Sequence, residues 1–270
     1  MAIITISRGS YSKGKEVAEK VADQLGYECL SRDILLDASD RFHIQQIKLV
    51  RAIHDAPSIL DRFGTSKQTY IAYIQSALAN AACKDNVVYH GLAGHVLLPG
   101  VRHVLKVRII ADLAERIANE MEREGIGYEE ARSLLLRDDQ ERRRWSHHLY
   151  GVDSVDPCLY DFLIRIHRLN VNDAVEFICL AASKEQFKTT KESQQKMEDL
   201  ALACRVKAAL AEEFPEIAIS SNYGNVVIYT KSGGRPPQRL EKKVKTVARE
   251  MKDINNLEIH PGVAAPEGAV

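Results

Sequence analysis

The chain has 270 residues, room for one or two domains and a sizeable core, which excludes a single small module. Apolar residues at 45% and charged residues at 27% describe a globular chain, and 15 Gly and 8 Pro are too few for a collagen-like or low-complexity one. The 37 basic residues cancel the 37 acidic ones, so no bulk attraction to nucleic acid or an anionic membrane is implied, and any anion site must be local.

The opening AIITIS (2–7) is a β-branched apolar run that predicts a fully buried strand. A polar loop, Arg8 to Gly14, follows. Val17, Val21, Ala22 and Leu25 then recur at helical spacing, and Gly26 stands at the expected left-handed cap. Tyr27 to Leu30 completes the start of a βαβ unit. An Ala-rich helix over 66–83, a strand NVVYH (86–90), a strand HVLKVRIIA (103–111) and a helix capped by Asp112 continue the alternation. A charged helix over about 128–145, a Gly-Asp-Pro turn (151–157), a strand near 162–167 and a helix over 173–182 close it. Strands alternating with helices predict a mainly parallel sheet covered on both faces.

Residues 185–196 have the composition of a solvated linker. Beyond it the order changes to an αββαβ module, 197–262, whose strands EIAISS, VVIYT and NLEIH are separated by turn signals. From 191 onward, 12 basic residues face 11 acidic ones, so this module is no basic nucleic-acid clamp. The tail 263–270 reads as frayed. Cys29, Cys83, Cys158, Cys179 and Cys204 form no CxxC pair and have no histidine at metal-ligand spacing, which reads as reduced thiols and no metal centre. The N-terminus shows no basic segment before its short apolar stretch, so a cytoplasmic protein without a membrane span is expected.

The loop after the first strand sits where helix N–H groups and the helix dipole converge, a geometry that suits phosphate. Arg8, Lys13 and Lys15 stand there among the small residues Gly9, Ser10, Ser12 and Gly14, and together these seven form the candidate nucleotide-binding loop. The match to a Walker A motif, GxxxxGK followed by Ser or Thr, is poor. Gly14 takes the place of the motif lysine, Lys13 and Arg8 replace its glycines, and Lys15 or Glu16 replaces its hydroxyl residue. An ordinary solvated turn with surface lysines is the alternative reading. In the segment RDDQERRR, Arg137, Glu141 and Arg144 fall at i, i+4 and i+7 on one helix face, with Arg142 and Arg143 alongside. This is either a solvated charged face or a flap that brings cations onto phosphates.

RDDQERRRW, YGVD, DP and YDFLI, with the strand and helix after them, resemble the lid-to-C-terminus region of cytidylate kinases, and more closely their bacterial cytidylate kinase-like relatives. ITISRGSYSKGKEVAEKVADQLGYECLSRDIL, VVYHGLAGHVLLPG and MEREGIGYEEARSLL are similar to the same family, in the same order, over residues 1–185. The resemblance implies a P-loop NTPase-type parallel sheet with helices on both faces and a helical lid, residues 1–184. It also implies ATP with Mg2+, and transfer of the terminal phosphate to a CMP-like nucleoside monophosphate or similar small acceptor. Lys13, Lys15, Arg137, Arg142 and Arg144 would then be the catalytic cations. Arg137 and Arg144 would contact the acceptor or the transferring phosphate, Glu141 would stand in for a ribose-binding aspartate, and Arg32 and Asp33 would open the acceptor pocket. The family's Gly-Arg-Asp after the third strand is Gly91, Leu92, Ala93 here, so an acceptor-binding arginine is missing. The C-terminal helix LALACRVKAALAEE, hairpin NYGNVVIYT and strand NLEIHPG resemble a BON domain, implying a protein or small-ligand partner. With the motif lysine absent, the rival reading is a catalytically degenerate nucleotide sensor acting through that module; a scaffold binding no nucleotide is a third.

Overall fold

A computed structural model describes residues 2–9, 12–31, 67–91 and 93–270, with the side chains of Lys67, Trp145, His148 and Leu149 left aside. Its elements run β1 (Ile3–Arg8), α1 (Gly14–Leu25), β2 (Glu28–Leu30), α2 (Lys67–Ala82), β3 (Val87–His90), α3 (Gly94–Leu97), β4 (Val104–Ala111) and α4 (Leu113–Glu124). There follow α5 (Tyr128–Tyr150), β5 (Phe162–Ile166), α6 (Val171–Ala182), α7 (Lys191–Leu210), β6 (Ala218–Asn222), β7 (Asn225–Thr230), α8 (Gln238–Glu250) and β8 (Asn256–Pro261). The described chain divides into two compact units: residues 1–33, 84–97 and 102–189, and residues 34–83, 98–101 and 190–270.

In the first unit the five strands are all parallel, in the order β2-β3-β1-β4-β5. β1 connects onward to β2 on one side and its neighbour β3 connects to β4 on the other, so the strand order switches between β1 and β3, and α/β sheets bind ligands beyond the carboxyl ends of strands at such a point. Strand alternation sorts the β1 side chains. Ile4 and Ile6 join Val107 and Ile109 of β4, Val17 and Val21 of α1, and Val175 and Ile178 of α6 in one core. Thr5 and Ser7 face the other way, where Gly94 of α3 packs on Thr5 and Tyr89. Gly26, with φ 67°, ends α1 as its sequence position predicts. α6 starts at Val171, two residues ahead of the expected Asp173, because Asn170 and Asp173 form a reciprocal capping box.

The second unit carries a three-stranded sheet, β6-β7-β8, with β6 antiparallel and β8 parallel to β7. Leu202, Val206 and Leu210 of α7 pack with Ile219, Ile228, Leu240, Val244 and Val247 into its core. α2, which the sequence order groups with the first domain, packs instead along α7: Thr69 Oγ1 donates to the Ala211 carbonyl (2.8 Å) and Arg205 to Asn80 Oδ1 (2.9 Å). α7 is therefore apolar on more than one face. Within 185–196, expected to be a linker, a 3-10 turn (Glu185–Phe187) and the first turn of α7 are formed. The reason is local: Ser193 N donates to Thr190 Oγ1 (3.1 Å) and Thr190 N to Ser193 Oγ (2.9 Å), a cap that composition alone does not reveal. The tail, expected to fray, returns to the edge of β6, where Ile219 and Val270 exchange both backbone hydrogen bonds (2.8 and 2.9 Å). Among the described residues no helix is long and apolar enough to cross a membrane.

Lys207 of α7 is buried and donates to the carbonyls of Pro215 (3.0 Å) and Ile217. Burial pushes its ammonium down to about 8; Glu216 opposes the shift and Lys231 adds to it. An unfolded chain, whose lysine titrates near 10.5, binds the extra proton between these values, so stability attributable to Lys207 rises as pH climbs from about 8 to about 10.5. Relative to Lys207→Met, the wild type is expected to gain about 3 kcal/mol across that window, measured by denaturant unfolding at each pH. A difference that stays flat with pH refutes the assignment.

Candidate functional site

The loop from β1 to α1 is closed from within. Gly9 N (3.2 Å) and Ser12 Oγ (3.1 Å) both donate to the Ile109 carbonyl of β4, and Ser12 Oγ also lies 3.0 Å from the Gly9 carbonyl. Ser12 is fully buried, so its hydroxyl, expected to face phosphate, is turned inward as a clamp on the sheet. The polypeptide then turns through Lys13 in the left-handed region (φ 61°), a conformation rare for a side chain bearing a Cβ. The first helical bond runs from Val17 N to the Lys13 carbonyl (3.0 Å). No described residue accepts from the N–H groups of Gly14, Lys15 or Glu16, which leaves three donors and the positive end of the α1 dipole at the loop.

Gly14 and Arg8 are brought together. A Cβ built on Gly14 would lie 2.7 Å from Arg8 Cβ and 3.1 Å from Arg8 Cδ, so the space a motif lysine would leave through is filled by the arginine stem. Lys13 is exposed, with no ion pair to a described residue. Lys15 is exposed too and lies along α1 with its ammonium 3.5 Å from Glu19, so the structure does not turn it into the loop. Glu16 pairs with Lys20 (3.1 Å). These residues fit a polyphosphate: three backbone donors, Lys13 and Arg8. Among the described residues they offer magnesium no hydroxyl, because Ser12 is committed to carbonyls, and no cluster of three metal-ligating side chains is present.

The charged helix is longer than its pattern suggests. α5 runs from Tyr128 to Tyr150, and its base is pinned to α4 by Ile117, Ala131 and Leu135 and by a two-pronged ion pair from buried Arg116 to Asp139 (2.8 and 3.0 Å). Arg137, Glu141 and Arg144 are exposed on one face of this continuous helix, and neither arginine is paired with a described residue. Arg142 is half-buried and engaged. Arg143 donates from Nε to both oxygens of Asp153 (3.0 Å each), and this holds the aspartate below the usual carboxylate range. Asp153 also accepts from Val155 N (3.2 Å) and Asp156 caps a short 3-10 turn through Cys158 N (2.9 Å), as the turn chemistry predicted.

Sequence reasoning missed a polar cluster on the Thr5–Ser7 face of the sheet. Arg108, opposite Ser7 in register, donates from Nη1 to the Ser154 carbonyl and to Tyr160 Oη (3.0 Å), and its guanidinium lies 5.4 Å from the centre of the Tyr160 ring. Tyr160 Oη donates to the Ser154 carbonyl (2.8 Å) and lies 3.3 Å from Ser7 Oγ and 3.4 Å from His95 Nε2. Burial, with the cations Arg108 and Lys106, pushes the His95 imidazole down to about 4, so it is neutral at ordinary pH. The available signal was a pair of charges, Lys106 and Arg108, in an otherwise apolar strand, VLKVRIIA. Beyond β5, a depression of about 420 Å³ is lined by Arg165, His167, Arg168 and Leu169. Ser10, Arg32, Asp33 and Leu92 lie outside the described residues.

Comparison with solved structures finds a fold likeness to an uncharacterized protein from Eubacterium ventriosum, 19% identical over 68% of this chain and all of that one, with a TM-score of 0.53. A shikimate kinase from Bacteroides thetaiotaomicron is 10% identical, over 68% of this chain and 99% of that one, at a TM-score of 0.42. A sugar kinase from Janibacter is 16% identical, over 70% and 99%, at 0.40. No curated protein matches the chain. The model of the cytidylate kinase-like family matches residues 3–168, which span the loop, the polar cluster, the arginine-bearing helix and the last parallel strand: the chain belongs to the cytidylate kinase-like family.

Proposed function

We propose that this kinase-like protein binds a nucleoside triphosphate at the loop between β1 and α1 and transfers its terminal phosphate to a nucleoside monophosphate or similar small acceptor. The observation that carries the reading is the set of N–H groups of Gly14, Lys15 and Glu16, which no described residue accepts from, at the start of α1 where it follows β1 at the switch point of the parallel sheet. Lys13 and Arg8 supply charge beside them. Magnesium would enter with the nucleotide, neutralising phosphate oxygens. The protein's part is to hold the triphosphate on backbone donors and to present Arg137 and Arg144 to the migrating group. The test is release of ADP when the purified intact chain is given ATP, magnesium and a panel of nucleoside monophosphates. Turnover with at least one acceptor is expected; absence of any calorimetric heat with every purine and pyrimidine triphosphate overturns nucleotide binding altogether.

A second reading has its own support. The closed space at Gly14 and the inward hydroxyl of Ser12 remove two catalytic parts of a P-loop, which favours a sensor that binds without turnover. Thermal stabilisation by ATP without ADP release would select it. In either case the αββαβ module, BON-like in its order of elements, serves as the association domain, and a cytoplasmic setting suits the five free thiols.

A further inference from the structure

Two of the described arginines of the first unit are buried, and they differ in one respect. Arg116 is neutralised by Asp139. Arg108, 9% exposed, meets only a backbone carbonyl, a phenol and an aromatic face; no described carboxylate pairs with it, and no described residue accepts from its Nε or Nη2. A guanidinium withdrawn from water without a counter-charge is costly to the fold. Around it, on the same face of the sheet, are two more incompletely satisfied groups: Thr5 Oγ1 and His95 Nδ1 are buried and have no hydrogen-bond partner among the described residues. Ser7, which faces Arg108 in register, is two residues ahead of Gly9, so this charge stands at the root of the proposed phosphate loop.

The geometry points to Arg108 as the anion-binding residue of the acceptor subsite: the edge of its guanidinium that meets no described acceptor takes the oxyanion of the acceptor, a phosphate monoester. The inference rests on the phosphoryl-transfer reading and gives that reading its acceptor chemistry. Tyr160 and Ser154 fix the Nη1 side of the guanidinium and leave the Nε–Nη2 edge to fork onto two phosphate oxygens. His95, kept neutral, adds no competing charge.

The test is calorimetric titration of inorganic phosphate into the intact chain, at ionic strength matched with sodium chloride, with saturating ADP and magnesium present to fill the loop between β1 and α1. Wild type is expected to bind phosphate, Arg108→Met to bind it at least tenfold more weakly, and Lys20→Ala, a surface variant whose ammonium pairs with Glu16, to bind it as wild type does. Tyr160→Phe, which keeps the guanidinium but removes its hydroxyl contact, should stay within twofold. Where Arg108→Met does not fold, Arg108→Lys decides: a point charge without the planar fork should weaken phosphate at least threefold. Unchanged affinity in the Arg108 variants, a loss in Tyr160→Phe equal to that in Arg108→Met, or no phosphate binding by the ADP-loaded wild type overturns the proposal. If ADP gives no heat but phosphate binding still depends on Arg108, the anion subsite stands and the kinase reading falls.

Discussion

Gly14→Lys, which restores a lysine where the Walker A motif has one, is expected to weaken ATP binding about tenfold or more and to destabilise the fold by about 1–3 kcal/mol, the usual range for overpacking. The backbone of Gly14 needs no glycine for its dihedrals, since it is the first residue of α1 and Lys13, not Gly14, has positive φ. What forbids a side chain is the 2.7 Å approach of a Cβ to Arg8 Cβ. That atom is the fixed root of the arginine rather than its flexible end, so relief requires the end of β1 and the start of α1 to separate. Such a movement disperses the three N–H groups that make the phosphate site. Calorimetry with ATP and magnesium, paired with denaturant unfolding, measures both effects. Tighter binding in the variant would show that the lysine had merely been lost from an otherwise ordinary P-loop, and would undo the account of Arg8 as the group that replaced it.

Arg144→Ala is expected to slow phosphoryl transfer about a hundredfold to a thousandfold while the ATP dissociation constant moves no more than about twofold. Arg144 and Arg137 stand on one exposed face of α5 and are not tied to any described carboxylate, so they are free to meet charge that develops as the phosphate migrates. An interaction made only in the transition state lowers the rate constant without weakening the ground-state complex. Single-turnover transfer and calorimetric ATP binding separate the two quantities; equal losses in both would place the arginine in simple nucleotide binding. Arg143 differs from its neighbours. Its bond to Asp153 ties α5 to the 151–161 loop, which Ser154 and Tyr160 in turn fasten to Arg108 of β4. The charged helix is thus linked mechanically to β4, the neighbour of the strand that leads into the loop.

The parallel sheet, its covering helices and the later αββαβ module were legible in the order of apolar runs, because burial on both faces leaves continuous β-branched stretches and amphipathic helices leave a period near 3.6. Arg137, Glu141 and Arg144 were placed on a common face by spacing alone, and α5 keeps them there. Local periodicity carries no information about partners distant in sequence, and the remaining features depend on such partners. The inward turn of Ser12 required the Ile109 carbonyl, the exclusion of a lysine at 14 required the path of Arg8, the packing of α2 on α7 required residues more than a hundred positions away, and the return of Val270 required an open edge on β6. The sequence by itself determined that cations cluster at the first strand-to-helix loop and along one helix. Only the fold decided which cations keep a counter-charge: Lys15 pairs along its own helix with Glu19 and Arg143 pairs with Asp153, whereas no described carboxylate pairs with Lys13, Arg137, Arg144 or Arg108, and a cation with no internal counter-charge retains its full attraction for an anion.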